Sequence, residues 1–168
     1  MPQKFADIRA AFVAREKRVD LVTDGALLAE HEALAEELAT AMQQTRTSLA
    51  DGSSVRDLAQ RVEALESQLA ESRVSFRLRG LGRNAFQRLL AEHRPADDDA
   101  RVFNPDTFPQ ALIAACSLDP VMTVEDVAEL GDVLTDGQFD ELFDAAWNAC
   151  REVDGVPFSP LASAVTRD

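Results

Sequence analysis

Between Arg73 and Arg94 the chain changes its hydrophobic period, and that change constrains the fold more than any other feature. Val74, Phe76 and Leu78 alternate with Ser75, Arg77 and Arg79, which is the two-residue period of a strand with one buried face. Gly80 and Gly82 interrupt the alternation, after which Phe86, Leu89 and Leu90 fall at helical spacing. The segment therefore reads as strand, glycine turn, helix. A strand cannot satisfy its own backbone N–H and C=O groups, so this one needs a partner in a chain that is otherwise patterned for helix. "RVDLV" (18–22), followed by the turn signal "TDG", is the candidate partner. That pairing would carry everything between the two strands as an insertion.

The insertion itself reads as two helices. Leu27, Leu34, Leu38 and Met42 share one face, with His31 between the first two. After the break at "LADGSS" (49–54), Ser54 offers an N-cap with Asp57 three residues on as a capping box. Leu58, Val62, Leu65 and Leu69 then form a short stripe in alternating four- and three-residue steps, the spacing of a coiled-coil seam. The expected result is an antiparallel helical hairpin over 25–48 and 54–72. Ahead of it, Phe5, Ile8, Phe12 and Val13 sit at helical spacing in "KFADIRAAFVAR" (4–15). Beyond the glycine turn, "RPADDDARVFNPDTF" (94–108) reads as a polar connection containing the acid run Asp97 to Asp99.

Three more helices are expected after it. Asp106 is the expected N-cap of the first, with Pro109 in its first turn and "ALIAACSL" as its apolar run. Thr123 with Asp126 forms a capping box for the second. Thr135 or Asp136 caps the third, which is expected to bury Phe139, Leu142, Phe143, Ala146 and Trp147. The fold class expected is mainly α with a small β element (α+β). The organisation expected is an N-terminal helical segment (1–72), a strand plus helical core domain (73–155) and an irregular tail (156–168).

Charge decides which functions to weigh. The chain carries a net −13, yet its Arg73–Arg94 stretch holds six arginines (Arg73, Arg77, Arg79, Arg83, Arg88 and Arg94) against Glu92 alone. Such an island can neutralise phosphates. Phe76, however, alternates in phase with the core face, and no aromatic side chain interleaves with the arginines. The acidic flanks would have to be held away from any phosphate. The island is therefore read as a docking surface for acidic protein, this chain's own or a partner's, with Arg77, Arg79, Arg83 and Arg88 as candidate protein-contact residues. Leu58, Val62, Leu65 and Leu69 are the apolar candidates.

Nothing in the sequence carries a catalytic constellation. "RGLGRN" lacks both a complete G-x-G-x-x-G and the lysine of a phosphate-binding loop. Cys116 and Cys150 lie in apolar helical runs without nucleophile signatures, and they read as small core hydrophobes. Pooling them with His31 and His93 does not produce zinc-module spacing. No catalytic, cofactor-binding or metal-binding residue is assigned. The apolar runs are too short for a membrane span, and the N-terminus has no apolar signal segment, so a cytoplasmic protein is expected.

Four blocks in order, "DLVTDGALLAEHEALAEEL", "RVEALESQLAESRVSFRLRGLGRNAFQRLLAEHRP", "FNPDTFPQALIAACSLDPVMTVEDVAEL" and "LTDGQFDELFDAAWNAC", resemble the tail assembly chaperone family of long-tailed phages infecting actinobacteria and related prophages. The blocks cover most of residues 20–150. The resemblance implies a non-enzymatic protein acting in the cytoplasm of the bacterial host. Its implied partners are the tape measure protein and the tail tube protein, kept soluble until the tube polymerises; the helical hairpin (25–72) and the acidic C-terminal helices are the expected contact surfaces, for such clients and for self-association. Members of the family are often made in a short and a frameshifted long form, and this chain would correspond to the short one. Two rival readings are a structural virion component, such as a tail-completion or head–tail adaptor protein, and a nucleic-acid-binding regulator using the arginine island.

Overall fold

The computed structural model describes residues 4–47, 53–96 and 100–153. Among them the chain is mostly helical with a small antiparallel sheet, an α+β fold. The elements run α1 (Phe5–Ala11), β1 (Glu16–Val22), α2 (Gly25–Thr47), α3 (Ser53–Glu71), β2 (Arg73–Arg79), α4 (Arg83–Glu92), α5 (Phe108–Cys116), β3 (Ser117–Asp119), α6 (Val124–Gly131) and α7 (Asp136–Arg151). The expected irregular tail (156–168) and the acid run Asp97–Asp99 lie outside the described residues.

The strand expected around residues 74–79 forms, and it pairs with the partner expected for it. β1 and β2 are antiparallel, with Val19 opposite Phe76 and Arg18 opposite Arg77. Because directly opposed residues point to one face, Glu16, Arg18 and Asp20 share the outer face with Ser75, Arg77 and Arg79. Val19, Leu21, Phe76 and Leu78 face inward and are buried. β3 pairs with the other edge of β2, placing β2 at the centre. The sequence reading did not place β3. It ran the helix through Ser117 and Leu118, whereas α5 stops at Cys116 and the Ser117 hydroxyl donates back to the Ala114 carbonyl at 2.8 Å.

The helical hairpin grows out of the β1–β2 pair. At its root the Thr23 N–H and hydroxyl both donate to the Ser72 carbonyl, at 3.0 and 2.7 Å. Asp24 caps α2 by accepting from the Leu27 N–H at 3.0 Å. α2 and α3 pack mainly on each other. Leu34 meets Leu58, Val62 and Leu65 in their shared seam, flanked by Leu27, Leu38 and Ala41. Met42, expected on that face, is instead 53% exposed, and the smaller Ala41 occupies the seam. Ser54 is not the cap of α3, because the helix already includes Ser53.

A second cluster fills the space beneath the sheet. Phe76, Leu78, Phe86, Phe108, Leu112, Ile113, Val127 and Leu142 are buried there. α7 crosses the inner face of β1 and β2, and α5 lies between α6 and α7. The expected capping box of Thr123 with Asp126 forms at α6, and at α7 Thr135, not Asp136, is the N-cap, closed into a capping box by Gln138. α5 begins differently from expectation. Thr107, not Asp106, is its N-cap residue and makes no side-chain cap bond, while the Asp106 N–H donates to the Asn104 side chain. In α7, Leu142 and Ala146 are fully buried; Phe139, Phe143 and Trp147 are only partly so, since they close the edge of the core rather than its centre.

Candidate protein-contact site

The strand arginines meet the chain's own acids first. Glu16, opposite Arg79 in the sheet, receives Arg79 at 2.8 Å and Arg77 at 2.9 Å. These bonds hold the Glu16 carboxyl below its ordinary range, with the Arg77 hydrogen bond the largest cause. Next to them the Ser75 hydroxyl donates to Asp20, which Arg18 also holds at 2.8 Å. Asp20 is lowered in turn, chiefly by the Ser75 bond. At the end of the sheet Lys17 and Arg15 converge on Glu152, at 2.7 and 3.1 Å. Of the four arginine candidates, then, Arg77 and Arg79 are engaged within the chain. Arg83 and Arg88 are exposed on α4 and make no ion pair among the described residues.

The Glu16 cluster has a pH consequence. A carboxyl with a lowered folded pKa adds stability above its ordinary value, 4.5, and loses it as pH falls through the lower folded value. Glu16→Gln should therefore leave the thermal midpoint near neutrality almost unchanged, because exposed pairs contribute little. It should make the decline below pH about 4.5 shallower. A series of thermal melts from neutral to acid pH checks both arms.

The four apolar candidates have a different fate. Leu58, Val62, Leu65 and Leu69 are 6–9% exposed, and the first three lie in the seam against Leu34. Their surface is already covered inside the hairpin. The same periodicity that marks a contact stripe marks an internal seam, and pattern alone does not distinguish the two.

Exposed apolar surface lies elsewhere. Leu21, Val22, Leu28, Val74, Phe76, Leu130, Val133 and Leu134 line a cleft of about 610 Å³ with Thr23, Gly25, Thr135 and Gln138. Four parts of the fold meet at it: the end of β1, the start of β2, the start of α2, and the α6–α7 turn. Gln138 ties two of them together, since its side-chain N–H donates to the Val22 carbonyl at 3.2 Å while its Oε1 accepts from the Thr135 N–H. Val74 was expected in the core with Phe76 and Leu78 but is 42% exposed. It does point to the inner face, yet the helices beneath the sheet stop at the α6–α7 turn, which leaves the cleft over it. Leu28 and Val133 are 38% and 77% exposed. No protein-family model, curated protein or solved structure matches the chain.

Asp24, Glu129, Asp132 and Asp136 are exposed neighbours in the chain of residues that line the cleft, as is Arg73, and Asp132 and Asp136 line a separate shallow hollow with Gln110 and Phe139. Sequence reasoning missed this cleft. The one available signal was Val133, an apolar residue in a turn between two well-capped helices. A further exposed apolar strip lies on α1 and just beyond it, where Phe5 and Phe12 are 79% and 81% exposed; α1 buries none of its residues. The helix expected over 4–15 ends at Ala11, and Phe12 is extended.

Among the described residues no group of three or more His, Cys, Asp or Glu is arranged to hold a metal ion. His31 faces Glu66 at 3.4 Å across the hairpin, and His93 meets the Thr107 hydroxyl at 2.9 Å. Among the described residues no helix is long and apolar enough to cross a membrane.

Proposed function

We propose that the chain is a phage tail assembly chaperone, acting in the cytoplasm of the host cell. It binds the tape measure protein and tail tube subunits by non-covalent contact before and during tail polymerisation. The observation that carries this reading is the apolar cleft of Leu28, Val74 and Val133 on a strongly acidic protein, added to the ordered sequence resemblance. A client helix can seat an apolar ridge in such a groove, and the acidic remainder keeps the complex in solution. The pairing of Arg77 and Arg79 with Glu16 weakens the nucleic-acid alternative, because those charges are already partly neutralised.

Co-expression with a tape measure fragment tests the proposal. The fragment should stay soluble and co-purify with the chain, and Val74→Gln with Val133→Asp should weaken binding by about tenfold or more while the circular dichroism is unchanged. If the fragment aggregates regardless, or the double variant binds as tightly as the parent, the reading fails. Mass spectrometry of purified particles separates a chaperone, which leaves, from a structural virion component, which stays.

A further inference from the structure

We propose that Cys116 and Cys150 are a thiol–disulfide exchange site, forming a reversible intrachain disulfide at the expense of a low-molecular-weight disulfide such as glutathione disulfide. This inference is independent of the tail-assembly reading. The two residues are 34 apart in sequence, yet their sulfurs lie 3.7 Å apart. Cys116 ends α5 and Cys150 lies in the last turn of α7, two helices packed on each other beneath the sheet. A disulfide needs sulfurs about 2.0 Å apart, so the two sulfurs, already in van der Waals contact, have about 1.7 Å left to close. Both cysteines are free.

The surroundings assign unequal roles. Cys116 is 1% exposed and cannot meet a soluble oxidant first. Cys150 is partly exposed and accepts the Leu81 N–H at 3.2 Å. The Cys116 thiol and that N–H both favour negative charge on the Cys150 sulfur, drawing its pKa below the ordinary thiol range. The same contact, together with burial, pushes Cys116 up. Since the thiolate is the nucleophile, Cys150 attacks.

The exchange balances in two displacements. The Cys150 thiolate attacks one sulfur of glutathione disulfide, breaking its S–S bond and releasing one glutathione thiolate, which takes a proton from water. Cys116 then gives up its proton, and its sulfur displaces the second glutathione from Cys150. Two protein thiols become one cystine, and one glutathione disulfide becomes two thiols. The product staples α5 to α7, whose opposite end carries Thr135 and Gln138 at the cleft.

The test equilibrates the reduced full-length chain with glutathione buffers of increasing disulfide content. Free thiols should fall to none, the mass should drop by about 2 Da (two hydrogens lost), and a non-reduced peptide map should contain the Cys116–Cys150 link. The thermal midpoint should rise by about 5 °C or more, as expected for closing a loop of this length. Cys116→Ser should trap a stable glutathione adduct on Cys150, whereas Cys150→Ser should leave Cys116 unreacted while the protein is folded. Stable glutathione adducts on the parent without the internal link would overturn the proposal. So would reaction of Cys116 in Cys150→Ser at the rate of Cys150 in Cys116→Ser.

Discussion

Phe108→Ala should destabilise the chain by about 3–5 kcal/mol, the usual cost of emptying a buried aromatic site. Phe108 is fully buried at the start of α5. Its ring centroid lies 4.6 Å from Phe103, 6.1 Å from Trp147, 6.3 Å from Phe86 and 6.4 Å from Phe143. These four aromatic neighbours come from three segments, α4, the connection before α5, and α7, and cannot collapse together into the vacancy, so the cavity term should persist. A domain typically has only about 5–15 kcal/mol in reserve. Urea unfolding with an unchanged slope would measure the loss. Trp147, the one tryptophan of the chain, reports locally by fluorescence because it contacts the same ring. Phe108→Leu, which retains most of the volume, should cost less than half as much. A cost under about 1.5 kcal/mol for the alanine variant would show that this site repacks freely.

Gly80→Ala should be the most damaging single-methyl addition. A Cβ there would lie 2.1 Å from the Ala149 carbonyl oxygen and 2.7 Å from its carbon. These are backbone atoms of α7, and no rotamer change moves them aside. Gly80 also continues the β1–β2 ladder, donating its N–H to the Arg15 carbonyl at 2.8 Å. Relief therefore requires β2 and α7 to separate, at a cost of about 2–4 kcal/mol for overpacking a tight contact. Gly82 is the internal control, since a Cβ there meets nothing within 4 Å. Gly82→Ala should stay within about 0.5 kcal/mol of the parent. Equal effects of the two substitutions in thermal or urea unfolding would refute this account of Gly80.

The two glycines looked alike in the sequence, where both end a strand before a helix. Only Gly80 touches another element. The same contrast runs through the rest of the chain. The periods of residues 74–79 and 86–90 were legible because each depends on neighbours a few positions away. The capping box of α6 was legible for the same reason, being closed by residues three apart, and the cap of α7 was narrowed to Thr135 or Asp136. The β1 partner could be named because few other segments alternated. Ser54 and Asp106 misled because good capping residues also occur one position away from the true helix start.

The candidate site was far less legible. Leu58, Val62 and Leu65 have the spacing of a contact stripe, and Leu34 covers them. Val74 has the phase of a core residue, and the end of α6 leaves it open. Arg77 and Arg79 looked like an outward-facing basic patch, and the register that sets Glu16 opposite Arg79 draws both arginines onto one carboxylate.

The sequence by itself determined the helices, the two long strands and their pairing, and the caps of α6 and α7, since hydrophobic period and capping chemistry act over a few residues. Only the tertiary structure decided which apolar faces are covered, which charges are matched, and that Cys116 and Cys150 meet. Those outcomes depend on how rigid elements far apart in the chain are brought into van der Waals and hydrogen-bonding range, which no local pattern encodes.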